Sequence, residues 1–573
     1  MWTLFHKFGS PPWLYQLSGT ILRWLLPLAL LALVIGIGWG LLFTAPDYLQ
    51  GNSYRIIFIH VPAAVVALAV AGVLFACGGE ARAAVAVPKL FSDGMVLQAG
   101  STAPVWGTAA PGASVTVEIA GLRKETRADA DGRWRVDLED LEPGGPHTLV
   151  IEGGNRIEIR DVYCGEVWVA SGQSNMEYGL HHVRNAEVEI ATADYPQIRV
   201  FTVKTVIAGE PQEDVDGSWQ RATPEAARHF TGLGYLFARG IHLRRDVPVG
   251  LIHSSVSGTI ADAWTPVEAL EAHPDLRPIL ERFAAEEAAF AKQMEGFDQA
   301  YTAWQKTADA AKAAGKKPPP APRAPEGPGE RKTRPAGLYN GKIAPLIPYG
   351  IRGVIWYQGE ANGPRGEQYR TLFPALINAW RARWGRGDFP FLYVQLANLH
   401  LPPDDIAKFH EVREAQLMTL SLPNTGMAVA CDVGDPRNIH PPNKQAVAER
   451  LVGLARKIAY GEDLVASGPL YREMAVEGDR VRIAFDAVGA GLVSSSGLNL
   501  AGFVLAGADQ TFQPAVARID GKTVVVWREG VDKPVAVRYG WANNPDCSLS
   551  NAAGLPASPF RTDDWPIAST GVR

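Results

Sequence analysis

Apolar and polar positions alternate in different ways along this chain, and each style predicts different elements. Near the start, residues 25–45 form a run of 21 positions without a charged side chain. At 1.5 Å per helical residue, that is enough to cross a bilayer. Lys7 and Arg23 precede it and the first acid is Asp47, so the positive-inside rule places its N-terminus in the cytoplasm. A second apolar run, residues 56–76, is interrupted by His60 and Pro62. Two readings compete for it. As a second membrane helix it would return the remainder of the chain to the cytoplasm. Alternatively, residues 63–77 are the apolar core of a secretory signal, with Ala81-Arg82-Ala83 as its cleavage site. The expected location of the remainder is then periplasmic or extracellular, anchored through residues 25–45 if that segment is retained.

From residue 86 to 160 the period shortens to two. Residues 115–119 and 134–138 alternate, and turn clusters at Pro111-Gly112, Gly144-Gly145 and Gly153-Gly154-Asn155 separate the runs. Short strands at this spacing predict a β-sandwich. Between 161 and 466, buried-type strands (166–170, 248–254, 353–357, 391–395, 427–431) alternate with amphipathic helices such as 231–244 and 444–459. That pattern predicts an α/β fold with a parallel sheet flanked by helices. An insertion at 266–336 begins as an Ala-, Glu- and Lys-rich helix and ends in a Pro-rich, basic stretch expected to be a solvated spacer. Residues 467–573 return to strands and predict a C-terminal β domain.

Composition narrows the function. Of 573 residues, 55 are Lys or Arg and 60 are Asp or Glu, a net charge of −5. No domain carries the basic surplus of a nucleic-acid binder. The four Cys include no C-x-x-C pair for a zinc or thioredoxin-type site.

The chemistry gathers at the ends of the predicted strands, where open α/β sheets bind ligands. One strand runs into Ser171-Gly172-Gln173-Ser174-Asn175-Met176. A Ser in a tight turn before a helix has an exposed hydroxyl and neighbouring N–H groups for an oxyanion, although a helix cap would read the same way. A second end carries Asp432-Val433-Gly434-Asp435 and then Ile439-His440-Pro441. A Ser nucleophile needs an imidazole to take its proton and a carboxylate to orient that imidazole. A third end reads Trp356-Tyr357-Gln358-Gly359-Glu360-Ala361-Asn362. There Gln358 and Asn362 are candidate oxyanion donors, and Glu360 could orient the His. A fourth reads Ser255-Val256-Ser257-Gly258-Thr259, where Gly258 would let a backbone N–H approach an acyl oxygen.

The G-Q-S-N-M, W-Y-Q-G-E-x-N and D-x-x-x-I-H-P elements resemble the sialate O-acetylesterase family of SGNH-type hydrolases. Leu338-Tyr339-Asn340-Gly341, Trp541-Ala542-Asn543-Asn544-Pro545 and the end from Ser558 to Trp565 match in the same order, so the resemblance runs from about 87 to 565. It implies an SGNH-like fold and an esterase that removes acetyl groups from sugar hydroxyls with a Ser-His pair, without a metal or a cofactor. Ser174 would be the nucleophile and His440 the base. The oxyanion would be held by the Ser174 and Gly258 N–H groups with Gln358 or Asn362. Many relatives read N-D-I-H where this chain has Arg437-Asn438-Ile439-His440, so an acid close before the His is missing. Asp435 is favoured for the third role, with Glu360 as the alternative. The implied partner is an acetylated sugar or glycan, either a sialate or an acetylxylan- or xyloglucan-type ester.

Residues 1–62 carry a different resemblance. Met1-Trp2-Thr3, Asp47-Tyr48 and the stretch from Ser53 to Pro62 are similar to the start of a membrane protein family, the haem exporter protein C of cytochrome c maturation. In that family the His matching His60 handles haem. The similarity is expected to stop near residue 62, leaving 63–85 as the signal-like segment and the first piece as a fused fragment. No C-x-x-C-H is present. Other hydrolase types fit poorly: there is no G-x-S-x-G elbow, and His410-Glu411 lacks the second His of a zincin. The rival from another class is a non-catalytic carbohydrate-binding protein.

Overall fold

The computed structural model describes residues 84–573. The expected membrane run at 25–45, the signal-like segment up to residue 83 and His60 lie outside the described residues. Among the described residues no helix is long and apolar enough to cross a membrane.

The chain first builds small β layers. Strands β1 (Val96–Gln98), β2 (Ala103–Thr108), β3 (Ser114–Ile119), β4 (Leu122–Arg127), β5 (Arg133–Leu138) and β6 (Gly144–Glu152) follow one another. β2 pairs antiparallel with β5, and β3 pairs antiparallel with β4 and β6. The alternation seen in sequence is the burial pattern here: Val115, Val117 and Ile119 face inward, as do Trp134, Val136 and Leu138. β7 (Arg156–Gly172) then runs 17 residues without a break. Its first half pairs antiparallel with β6, and its second half enters the main sheet. The expected boundary at 160/161 therefore falls inside a strand. Asp161 takes a left-handed φ of 56° there, and its carboxylate accepts from Arg199 at 2.7 Å. One continuous apolar core runs through both regions, from Val85 to Ala466.

After β7 come α1 (Ser174–Glu177), β8 (Tyr195–Thr202), β9 (Trp219–Ala222), α2 (Gly232–Arg245), β10 (Val249–Ser255), α3 (Arg277–Ala313), β11 (Gly353–Tyr357), α4 (Gly366–Trp384), β12 (Phe391–Val394), α5 (Phe409–Met418), β13 (Thr425–Ala428) and α6 (Lys444–Ile458). The main sheet has the order β13-β12-β11-β7-β10-β8-β9. Every pair in it is parallel except β8–β9. All residues of β10, β11 and β12 are buried, as a parallel sheet covered on both faces requires. The register sets Gly172 beside both Ser255 and Tyr357, so the segments that follow these strands leave from one edge.

α3 spans 37 residues, with only Ile279 and Ala308 buried. The Pro-rich stretch behind it is not a free spacer. The Trp304 indole donates to the Pro319 carbonyl at 2.8 Å, and Lys332 donates to the Ser257 carbonyl at 2.6 Å. Beyond residue 467 the strands form two four-stranded sheets and one two-stranded sheet. A separate core of Val481, Ile483, Leu505, Val524, Val526 and Phe560 holds them.

Candidate active site

Gly172 ends β7 with φ +134°, and a Cβ there would stand 2.2 Å from the Tyr357 carbonyl oxygen. Only glycine lets the turn before Ser174 pack this closely on β11. The next residue, Gln173, accepts through Oε1 from the Ala361 N–H at 3.3 Å. Ser174 opens α1, half-buried. Among the described residues, the Ser174 backbone N–H meets no acceptor, and neither does that of Gly258, which sits at φ +68°. Two candidate oxyanion donors are therefore free. The Gly258 turn is held from both sides: Glu177 accepts from the Ser257 N–H at 2.6 Å, and Lys332 donates to the Ser257 carbonyl.

Asn175, 1% exposed, is the hub. Its Nδ2 donates to Glu360 Oε1 at 2.6 Å and to the Ile439 carbonyl at 2.9 Å. Its Oδ1 accepts from Lys444 Nζ at 2.5 Å. Ser174 precedes Asn175 and His440 follows Ile439, so one amide ties the two expected catalytic residues together. His440 lies half-buried with its ring stacked on Tyr178, centroids 5.8 Å apart. Burial and the nearby Lys444 cation push its pKa down, which favours the neutral, proton-accepting form. Glu360 is buried and its carboxyl is pushed up by desolvation. Lys444 is fully buried and lowered to about 7, chiefly by desolvation and against the pull of Glu360.

Three expected roles meet a different geometry. Gln358 is 0% exposed, and its Nε2 donates to Asn362 Oδ1 at 2.6 Å and to the Thr259 carbonyl at 3.2 Å. Both amide N–H groups are occupied, so Gln358 has none left for an oxyanion. Asn362 is 1% exposed and donates to Asp262 Oδ2 at 3.1 Å, which turns one of its amide N–H groups to a buried carboxylate. Asp435 accepts from the Arg437 N–H at 2.9 Å, closing a local turn. No carboxylate hydrogen-bonds the His440 ring among the described residues. Asn438, where the sequence resemblance implies an acid, accepts from the His440 backbone N–H at 2.9 Å.

Lys444 and Tyr178 escaped the sequence reading. A signal for Lys444 was present: a cation at the first position of a helix opposes the helix dipole, so its placement needs another cause.

A family model described as "Carbohydrate esterase, sialic acid-specific acetylesterase" matches residues 340–454. One described as "Heme exporter protein C" matches residues 4–89, beyond the expected limit at 62. The heme exporter protein C of Escherichia coli (strain K12) is 38% identical over 121 residues, covering 19% of this chain and 49% of that protein. The sialate O-acetylesterase of Mus musculus is 32% identical over 432 residues, covering 66% of this chain and 74% of the relative. That of Homo sapiens is 32% identical, covering 66% and 72%. The crystal structure of a carbohydrate acetylesterase from Xanthomonas citri is 37% identical and superimposes with a TM-score of 0.71, covering 84% of this chain and all of that one. With that share of the relatives matched at this identity, the chain belongs to the sialate O-acetylesterase family.

Proposed function

We propose that Ser174 and His440 carry out acetyl-ester hydrolysis on sugar hydroxyls at the edge of an SGNH-like sheet. The chain is a carbohydrate O-acetylesterase and a serine ester hydrolase, as its family and its structural neighbour support. The observation that carries the residue assignment is Asn175, whose side chain joins the Ser174 turn to the peptide bearing His440. In the first step His440 takes the Ser174 proton as Oγ attacks the acetyl carbonyl. The unoccupied N–H groups of Ser174 and Gly258 receive the developing oxyanion, and each such donor contributes about 3–4 kcal/mol of transition-state stabilisation. His440 then gives the proton to the leaving sugar oxygen. Water, activated by the same imidazole, releases acetate from Ser174.

The ring of His440 is oriented by stacking on Tyr178 rather than by a bound carboxylate. We therefore assign neither Asp435 nor Glu360 the direct contact of a third triad member. Gln358 and Asn362 form the floor beneath the oxyanion site. The substrate is an O-acetylated sugar, and the relatives' names put sialate esters first among those to test. An extracellular or periplasmic location suits such a substrate. The assignment is tested by acetate release from acetylated sugars and by fluorophosphonate labelling. Ser174→Ala should abolish both, whereas a carbohydrate-binding protein without catalysis would show neither activity nor labelling in the parent chain.

A further inference from the structure

The Ser174 turn rests on an ion pair that is split by an amide. Lys444 has no exposed surface. Its Nζ lies 5.1 Å from the Tyr178 ring centroid and 5.2 Å from that of Tyr357, and it donates to Asn175 Oδ1. On the far side of the same amide, Glu360 Oε1 accepts from Nδ2, while Glu360 Oε2 is buried without a partner. An Asn amide can flip, exchanging its acceptor and donor ends. A Lys ammonium only donates, whereas the Glu360 carboxylate and the Ile439 carbonyl accept. With Lys444 in place only one orientation of Asn175 satisfies all three neighbours. A flipped amide would face oxygen toward oxygen at both Glu360 and Ile439.

We propose that Lys444 is a positioning residue for the esterase reaction: by donating to Asn175 Oδ1 it braces the amide that holds the peptide before His440 against the Ser174 turn. The proposal rests on Ser174 and His440 being the catalytic pair. Lys444 does not touch substrate; it acts through Asn175 and through the field at His440. The groups that face Lys444 are Glu360 and Tyr357 after and in β11, Tyr178 after α1, and His440 on its own loop. His440 faces Lys444 and Tyr178. Of these, Glu360 favours the protonated Lys444 and burial opposes it. The cation in turn disfavours a proton on His440.

The test uses the full chain with Lys444→Met, Lys444→Gln and Asn175→Ala, each rate being divided by the amount of enzyme that a fluorophosphonate labels at Ser174. For Lys444→Met, kcat per labelled enzyme should fall about 100-fold, the scale of a displacement of about 1 Å between reacting groups, with KM nearly unchanged. The acid limb of kcat/KM should move to higher pH, because removing the cation lets His440 hold its proton longer. Lys444→Gln keeps a donor for Asn175 but loses the charge, so it should recover much of kcat and still show the moved limb. Lys444→Met combined with Asn175→Ala should be no worse than the poorer single variant. An unchanged kcat and limb per labelled enzyme in either Lys444 variant would overturn the proposal, as would multiplying effects in the double variant. Failure of the parent reading looks different: the parent chain would not label, or Ser174→Ala would remain active.

Discussion

Two Ser–His–Lys neighbourhoods stand at the carboxyl edge of one sheet, and they differ in almost every respect that matters for catalysis. In the first, Ser174 and His440 are half-buried, not hydrogen-bonded to one another, and backed by Lys444 through Asn175. In the second, His253 Nε2 meets Ser255 Oγ at 2.6 Å, and Lys342 donates to the Ser255 carbonyl at 3.3 Å. By hydrogen-bond geometry alone the second resembles a nucleophile with its base. It is nonetheless sealed: His253 is 6% exposed and Ser255 4%. Burial, with help from Lys342, pushes the His253 pKa down to about 3, too weak a base to take a hydroxyl proton at neutral pH. The open pair lacks the contact yet keeps a basic imidazole, access and two unoccupied N–H groups. Catalytic hydrogen bonds often tighten only when substrate binds, so a made Ser–His bond is poor evidence of an active site and accessibility is better evidence.

The sharpest way to break this contrast is at the two serines. Ser174→Ala should lower acetate release by about 10⁶-fold, the scale seen when the serine of a hydrolytic triad is removed. Ser255→Ala should leave kcat per folded enzyme within about threefold, since its hydroxyl meets only a buried imidazole. Swapped outcomes would move the active site to the sealed pair.

The lysines give the next largest difference, this time in stability. Lys342 donates to the Val203 carbonyl at 2.8 Å, to the Ser255 carbonyl and to Thr205 Oγ1, joining the ends of β8 and β10. Lys342→Met leaves buried oxygens unpaired, each costing about 1–3 kcal/mol. Denaturant unfolding should show that loss, while kcat per labelled enzyme stays near the parent value. Lys342→Met that unfolds normally but loses turnover would make the two lysines equivalent.

His253 adds a pH test. Its folded pKa of about 3 lies below the usual histidine value. Between about pH 6.5 and 3 the unfolded chain therefore binds a proton that the folded chain refuses. Stability contributed by neutral His253 is complete above about pH 6.5 and is lost as the pH falls toward 3. His253→Phe removes the titrating group and should flatten that part of the stability profile. An unchanged slope in urea unfolding between pH 6.5 and 4 would show that His253 titrates normally and is not sealed.

Much of this was legible in the residues. Strand runs that end in Gly and polar side chains matched the sheet edge, and the segments bearing Ser174, Gly258, Glu360 and His440 follow β7, β10, β11 and β13 in that order. What stayed hidden are pairings across long separations. Asn175 and Lys444 are 269 positions apart, and no local period encodes which side chain a buried ammonium will meet. Gln358 read as a donor because its residue type is right, but its burial and its bond to Asn362 decide otherwise. Asp435 read as the acid because it is near His440 in sequence, yet a two-residue turn claims its carboxylate. The boundary at 160/161 failed because composition changes there while β7 does not end.

The smallest expected effect tests the departure at Asn438. Its side chain already accepts from the His440 backbone N–H, and an Asp carboxylate could keep that bond while adding a negative charge beside the imidazole. The charge would favour protonated His440 and partly cancel the influence of Lys444. In Asn438→Asp the acid limb of kcat/KM should therefore move to higher pH, with the rate on the plateau changed by less than about threefold, since the carboxylate stays on the His440 backbone N–H and the ring keeps its stacking on Tyr178. A plateau that rises by 100-fold or more would mean that stacking orients His440 poorly and that the open pair works well below its capacity for want of an acid.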